Sequence, residues 1–503
     1  MTLIKSISGI RGTIGGTIGE NLTPVDVVKF TTAFATFLLE KKELELTASP
    51  QSVNENKELT ASSQSVSDNL RDADCSTRDA DCSRMRMVVG RDARISGDIV
   101  NRLVCSTLQS MGIDVIDLGL STTPTTEMAV IQQHADGGII ITASHNPMQW
   151  NALKLLDRTG EFVSGAEAKR IVELTESDEL SYVTFDKLGS YQLYENAIKD
   201  HVDAILNLPL VDKNAIAKAN FKVILDTVNS TGALALPVLL KALGVNDVTI
   251  LNGEMNGVFA HNPEPIPENL AGICNAMNRS NFDVGFVVDP DVDRLAIVNE
   301  NGVLFNEEYT LVAVADYILQ HTPGNTVSNL SSSRALKDVT DKYGMTYTPS
   351  AVGEVNVVEM MKKTNAVIGG EGNGGVIYPE LHYGRDALVG IALFLTYMAK
   401  SGKKCGQLRA QYPDYFIVKK KTELDSSVDI KALLEKIAGK YASYQVNRVD
   451  GVRIDFNDSW VHVRSSNTEP IIRIYAEAMS ESVADNIASK LMADIRDLMQ
   501  NYE

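Results

Sequence analysis

The sequence predicts an α/β protein, with three segments built on one plan followed by a smaller α+β unit. Apolar runs of strand length alternate with amphipathic runs of helix length, and the series restarts three times along the chain. After the third series the pattern changes to short alternating runs and one long amphipathic helix. Size points the same way. The chain has 503 residues, more than one hydrophobic core accommodates, so length alone implies three or four domains.

Taken in order, residues 85–89 read as a strand, 99–111 as a helix, 114–118 as a strand, 125–134 as a helix and 138–142 as a strand. That order implies a layered α/β domain. The grammar returns with a strand at 221–226, a helix at 233–243, and strands at 248–251 and 284–289. It returns again with a strand at 326–331, helices at 335–343 and 355–363, and a strand at 366–370. In the tail, 453–455, 460–464 and 471–477 alternate like antiparallel strands. Residues 482–499 set Val483, Ile487, Leu491, Ile495 and Leu498 near one helical stripe. Each α/β series delivers a distinctive loop just after a buried strand, where open α/β sheets bind ligands.

Residues 41–84 depart from this grammar. Leu46-Thr-Ala-Ser-Pro-Gln-Ser-Val53 recurs as Leu59-Thr-Ala-Ser-Ser-Gln-Ser-Val66, and Arg71-Asp-Ala-Asp-Cys-Ser76 recurs as Arg78-Asp-Ala-Asp-Cys-Ser83. The stretch is polar, with too few large apolar residues to offset its ordering entropy. Its repeats are shorter than solenoid units and lack a hydrophobic face. It is expected to be a disordered insertion in a surface loop.

Composition narrows the function. Hydrophobic content of 44% and charged content of 22% are those of a soluble globular protein. A net charge of −18 argues against nonspecific binding to nucleic acid or anionic membrane, both of which need a basic footprint. No apolar run reaches the roughly 18 residues of a membrane span. Residues 1–12 do not resemble a secretory signal, so a cytoplasmic location is expected. Cys75, Cys82, Cys105, Cys274 and Cys405 are odd in number and form no C-x-x-C pair, which is no basis for a disulfide framework or zinc ribbon.

Four loops carry the chemistry. In Thr142-Ala-Ser-His-Asn-Pro147, a serine exposed after a strand could act as a nucleophile, although Ser, Asn and Pro also make ordinary turns. A Ser-His neighbour pair is no triad signal, and no G-x-S-x-G elbow surrounds it. In Asp289-Pro-Asp-Val-Asp-Arg294, carboxylates at i, i+2 and i+4 fall on one side of an extended chain. Three such charges repel unless a cation lies between them, and hard oxygen ligands suit Mg²⁺ or Ca²⁺. An EF-hand loop is excluded by Arg294, which stands where that loop needs Gly. In Gly369-Gly-Glu-Gly-Asn-Gly-Gly375, the glycines allow close backbone approach to a ligand, and Glu371 and Asn373 could bond sugar hydroxyls or an amine. A glycine-rich hairpin is the plainer alternative. Arg464-Ser-Ser-Asn-Thr468 offers a guanidinium fork, hydroxyls and an amide to a phosphate.

Together and in this order, the loops resemble those of the α-D-phosphohexomutase superfamily, and Ser8-Gly-Ile-Arg11 is similar to its N-terminal arginine motif. The likeness covers nearly the whole chain outside the insertion. It implies four domains around a central cleft, expected at 1–189 (carrying the insertion), 190–302, 303–412 and 413–503. Three are α/β with mixed sheets and the C-terminal one is a smaller α+β domain. It implies that Ser144 carries a phosphoryl group, that Asp289, Asp291 and Asp293 hold Mg²⁺ with it, and that Glu371 and Asn373 read the sugar. It further implies that Arg464, Ser466, Asn467 and Thr468 hold the non-reacting phosphate. Arg11, His145, Lys154 and Arg294 match positions around the reacting one, with His145 and Lys154 as candidates for proton transfer.

The implied reaction exchanges a phosphoryl group between the 1- and 6-positions of a hexose through a bisphosphorylated intermediate. A hexose 1,6-bisphosphate would activate Ser144, and the fourth domain would open and close while the intermediate turns. Asn373 and Gly375 stand where many relatives have Ser and His. The Asn form resembles archaeal-type phosphoglucosamine mutases and eukaryotic acetylglucosamine phosphate mutases, which favours glucosamine phosphate over glucose or mannose phosphate. A phosphatase using the same serine and metal, or a non-catalytic binding protein, are the rivals. The implied partner is a small phosphosugar, and the chain is expected to be a monomer or homodimer. Excising the insertion between Lys41 and Arg84 is expected to leave a cooperatively folded protein, as judged by circular dichroism melting.

Overall fold

A computed structural model of the protein describes residues 2–6, 9–48, 84–177, 181–423, 429–465 and 471–500. The first sheet has seven strands, in the order Ile4–Ser6, Gly9–Thr13, Trp150–Leu156, Gly137–Ile141, Arg86–Arg91, Asp114–Leu120 and Tyr191–Leu193. Its central strands run parallel, with Arg86–Arg91 between Gly137–Ile141 and Asp114–Leu120. Trp150–Leu156 then returns antiparallel beside Gly137–Ile141. The second sheet orders Leu295–Asn299, Val284–Val288, Lys222–Asp226 and Asp247–Leu251. The third orders Tyr347–Ser350, Asn325–Asn329, Ala366–Glu371 and Gly375–Ile377.

These three sheets repeat one device. Parallel strands joined by helical crossovers end in a strand whose successor turns back antiparallel. The turn after Gly137–Ile141 is the serine loop, the turn after Val284–Val288 is the aspartate loop, and the turn after Ala366–Glu371 is the glycine loop. Gly137–Ile141 and Val284–Val288 are buried along their whole length because apolar clusters cover both faces of their sheets. That burial anchors each loop on a rigid base.

The fourth sheet is antiparallel throughout, in the order Phe416–Glu423, Ile471–Ala478, Trp460–Ser465, Val452–Asp455 and Gln445–Asn447. Helices Ile430–Lys440 and Glu481–Gln500 pack on it around Leu433, Ile437, Leu491 and Ile495. Its core is separate. The second and third sheets instead share one large core through helices Glu307–His321 and Ala387–Ser401, which are buried on nearly every side.

Two expectations need correction. Residues 41–48 do not belong to an insertion: helix Pro24–Ala48 runs through them, supported on its inner face by Phe30, Phe34 and Leu38. Residues 49–83 lie outside the described residues. The division at 189 also fails, because Tyr191–Leu193 pairs in parallel with Asp114–Leu120 and is the edge of the first sheet. Among the described residues no helix is long and apolar enough to cross a membrane, and Cys105, Cys274 and Cys405 are free thiols.

Phe394 makes edge-on contacts with Phe286 at 6.3 Å and Phe305 at 5.3 Å between ring centroids, in the core common to the second and third sheets. Phe394→Ala is expected to cost about 3–5 kcal/mol, read as a lowered denaturation midpoint of these two units.

Candidate active site

Ser144 stands in the left-handed region, with φ of 47°, a conformation that costs free energy for a residue with a side chain. The surrounding groups over-determine it. Its N–H donates to Thr142 Oγ1 at 2.9 Å, and Thr142 donates to Asp92 at 2.6 Å. The Arg94 guanidinium, only 1% exposed, donates to the carbonyls of Ser144, Asn146, Pro147 and Trp150, and its Nε donates to Asp92 at 3.0 Å. The loop therefore closes around a buried guanidinium. The Ser144 hydroxyl donates to Asp289 Oδ2 at 2.7 Å and lies 3.3 Å from Nδ1 of His145.

The aspartate loop meets it across the cleft. Asp289, Asp291 and Asp293 are fully buried, and one oxygen from each lies within 4.8 Å of the others. Val292 between them has φ of 64°, an outlier for a β-branched residue that turns the two flanking carboxylates inward. Asp289 Oδ1 accepts the N–H groups of Asp293 and Arg294, each at 3.2 Å. Thr123 fastens the loop to the first domain, its N–H on the Asp291 carbonyl at 2.8 Å and its hydroxyl on Asp291 Oδ2 at 2.6 Å. Lys154 donates to Asp291 at 2.7 Å and lies 3.4 Å from Asp293.

The charge balance is strained. Burial first, then Asp293 and Asp291, push the Asp289 carboxyl well above the usual range. Burial acts on Asp291 the same way, but Lys154 and the Thr123 hydroxyl together outweigh it and hold that carboxyl below the usual range. Oδ1 of Asp291 and Oδ1 of Asp293 are buried without a hydrogen bond. Orphaned carboxylate oxygens at one point are what a hard divalent cation would satisfy, so the donor set fits such an ion.

The glycine loop adjoins the aspartate loop directly. Gly374 has φ of 85°, and a Cβ there would lie 2.3 Å from the Leu295 carbonyl, so only glycine permits the contact. Asn373 is half-buried, and its Oδ1 accepts the Gly375 N–H at 3.2 Å. Glu371 is buried with both oxygens engaged: Oε1 takes Asn329 and the Gly353 N–H, and Oε2 takes Arg385 at 3.0 Å. Arg385 also donates to Asp293 at 2.7 Å and to Glu354 at 3.0 Å, joining aspartate and glycine loops through one guanidinium.

Positive charge gathers on the remaining side. Arg294 is 3.3 Å from Glu264, and its Nε, like that of Arg11, is buried without an acceptor. Burial and the charges of Arg473 and Arg294 lower the Arg11 pKa. Burial, then Arg294, Arg385 and Arg11, drive His145 well below its usual value, so its imidazole is neutral at neutral pH. Arg464 pairs with Asp450 at 3.2 Å on the strand leading to the fourth loop. Ser466, Asn467 and Thr468 lie outside the described residues. A serine, an aspartate cluster and guanidiniums with spare donors can together bind and transfer a phosphoryl group.

Comparison with known proteins agrees with this geometry. Models of the phosphoglucomutase/phosphomannomutase family match domain by domain: α/β/α domain I at residues 66–181, domain II at 199–302, domain III at 306–415 and the C-terminal domain at 417–493. The phosphoglucomutase/phosphomannomutase of Thermococcus kodakarensis is 38% identical over 80% of this chain and 88% of its own length. The chain belongs to this family of phosphosugar mutases. A phosphoglucosamine/phosphogalactosamine mutase of Sulfurisphaera tokodaii is 33% identical over 81% of this chain and 90% of its own. A family member from Burkholderia thailandensis has the same fold, with a TM-score of 0.76 at 22% identity over 99% of this chain and 98% of that one.

The mutase brings Ser144, His145, Lys154, Asp289, Asp291, Asp293 and Arg294 to one point, and sets Arg11 and Glu371 beside it. Sequence reasoning missed Asp92, Arg94, Thr123, Glu354 and Arg385. Arg91-Asp-Ala-Arg94 follows a buried strand just as the serine loop does, and Gly384-Arg-Asp386 precedes a helix, so charged residues at element ends were the available signal. Because Arg94 serves several carbonyls with a rigid fork, Arg94→Lys is expected to behave nearly as Arg94→Met does. Both should lose about 3–5 kcal/mol of stability and most activity, measured by denaturation and turnover.

Proposed function

We propose that the mutase interconverts hexose 6-phosphate and hexose 1-phosphate through a phosphoserine at Ser144, with glucosamine phosphate as the preferred sugar. The observation that carries this reading is the Ser144 hydroxyl on Asp289 at 2.7 Å, inside an aspartate cluster with unsatisfied oxygens. A free sugar hydroxyl attacks the phosphorus of phosphoserine, the bond to Ser144 Oγ breaks, and a hexose bisphosphate results. That intermediate turns end for end. Ser144 Oγ then attacks its other phosphorus and releases the product with one phosphate. A hexose 1,6-bisphosphate would load Ser144 at the outset.

Asp289, Asp291 and Asp293 would hold Mg²⁺, which when bound offsets charge on the transferring oxygens. Neutral His145, 3.3 Å from Ser144 Oγ, is placed to hold the proton at that atom. Lys154, kept charged by Asp291 and Asp293 in spite of burial, acts as a fixed positive charge. Arg11 and Arg294 present unsatisfied donors to the phosphoryl oxygens. Glu371 and Asn373 would read the sugar, which requires Glu371 to loosen its bond to Arg385. Arg464, Ser466, Asn467 and Thr468 would grip the non-reacting phosphate.

The choice of glucosamine rests on the Gly-Glu-Gly-Asn-Gly-Gly loop and on the relative named for phosphoglucosamine. The relative named for glucose and mannose phosphates supports the alternative. The test is a side-by-side assay on glucosamine 6-phosphate, glucose 1-phosphate and mannose 1-phosphate, with Mg²⁺ and matching bisphosphates. Amino-sugar turnover is expected to dominate, and a preference for the neutral sugars would overturn the substrate assignment. Ser144→Ala should abolish turnover while keeping the melting curve. Asp291→Asn should lower the rate by about 10²–10³-fold and raise the Mg²⁺ needed.

A further inference from the structure

Behind the aspartate loop, where the first three domains meet, lies a set of ligating groups that the mutase reaction leaves unused. His201 is on helix Ala197–Leu206, His382 and Asp386 are at the entrance to helix Ala387–Ser401, and Thr125 and Glu127 are on helix Thr123–Gln132. All are shut off from solvent, at 0%, 5%, 0%, 0% and 1% exposure respectively. Nε2 of His201 lies 3.0 Å from Asp386 Oδ2, and Nε2 of His382 lies 3.4 Å from the same oxygen. The other oxygen of Asp386 caps the helix through the N–H groups of Leu388 and Val389.

The outer face of each ring is also occupied. Thr125 Oγ1 is 3.0 Å from Nδ1 of His201, and Glu127 Oε2 is 3.4 Å from Nδ1 of His382. The rings stand edge-on at 86°. This is how metal-binding histidines are arranged: one nitrogen faces the ion and the other is steered by a hydroxyl or carboxylate. A tetrahedral ion with bonds of about 2.0–2.2 Å holds neighbouring ligand atoms about 3.3–3.5 Å apart. Both imidazole-to-carboxylate spacings are within a few tenths of an ångström of that value, and the three ligand atoms all lie within 4.8 Å of one another.

A second observation points to a ligand. The Glu127 carboxylate is buried with no hydrogen bond to either oxygen, yet it faces the His382 ring. Room for it is made by Gly384, where a Cβ would lie 1.9 Å from Glu127 Oε2 and 2.8 Å from His382 Cε1. A buried carboxylate without a hydrogen bond is costly unless positive charge is nearby.

We infer that His201, His382 and Asp386 form a second metal site, steered by Thr125 and Glu127, that takes Zn²⁺ and ties the first three domains together behind the catalytic cleft. Two imidazoles and one carboxylate suit a borderline ion better than Mg²⁺, which takes oxygen ligands. A water would complete the coordination.

The test uses full-length protein stripped with a strong chelator, exposed to Zn²⁺ and gel-filtered, with bound metal measured by mass spectrometry. About one equivalent should be retained. It should persist when Asp289, Asp291 and Asp293 are all changed to Asn, and fall by more than about 10-fold in His382→Gln. Co²⁺ added to the stripped unaltered protein should give visible ligand-field bands, a readout that stands even if His382→Gln does not fold. An unaltered protein that retains no Zn²⁺ or shows no Co²⁺ bands would overturn the site. So would Zn²⁺ that is lost with the three aspartates and kept by His382→Gln.

Discussion

The geometry at Ser144 depends on one buried guanidinium. Arg94 has no contact with solvent to speak of, and a charge in that position is tolerated only because every direction of its fork is used. Asp92 neutralises it, and four carbonyls of the following loop converge on it. The same Asp92 takes the Thr142 hydroxyl, which in turn takes the Ser144 N–H, so the left-handed turn at Ser144 is held from both its carbonyl and its amide. The influence extends further. The Ala93 N–H donates to Ser230, and Ser230 donates to the Pro290 carbonyl inside the aspartate loop. The serine and the aspartates are thus positioned by one connected network rather than by two independent loops.

Around that network the interior carries more acid than base. Asp289, Asp291, Asp293, Glu127, Glu354, Glu371 and Asp386 are all buried, against Lys154, Arg294 and Arg385. Such an excess can be met by protons or by metal ions. The upward pressure on Asp289 and Glu127, both from burial first, marks where the excess is least compensated. Asp289 belongs to the converging group that faces the cleft, and Glu127 abuts His382 of the group behind it. Cation binding therefore bears on the stability of the junction between domains as well as on phosphoryl transfer.

The repeated βα grammar was legible because both faces of each α/β sheet are covered, leaving apolar runs that periodicity detects. Predicted and observed elements agree to within a few residues in all three series, as at 335–343 against Ala335–Lys342. The serine, aspartate and glycine loops were legible because their residue types are chemically unusual together. Three things were not. The strand Trp150–Leu156, which turns back antiparallel, has no local signal separating it from the loop before it. The polar end of helix Pro24–Ala48 resembles the repeats that follow, so composition alone misplaced its boundary. Arg94 and Arg385 owe their roles to partners distant in sequence, among them Trp150 for Arg94 and Asp293 for Arg385, and no spacing rule captures such contacts.

The nature of the contacts between domains assigns different mobilities to them. The second and third sheets share an apolar core, including Phe286, Phe305 and Phe394, and separating them would expose it. The fourth domain keeps its own core and meets the third through polar links. Arg453 reaches the Leu330 carbonyl at 2.6 Å, His462 meets Ser331 at 2.9 Å, and Asp450 takes the Val352 N–H at 3.0 Å. Each of these groups can exchange its partner for water at small net cost. A bisphosphate that turns end for end needs space inside a cleft that stays closed to escape. The polar seam is the place where the cleft can widen without disturbing the serine and aspartate loops, whose fixed geometry both halves of the proposed reaction share.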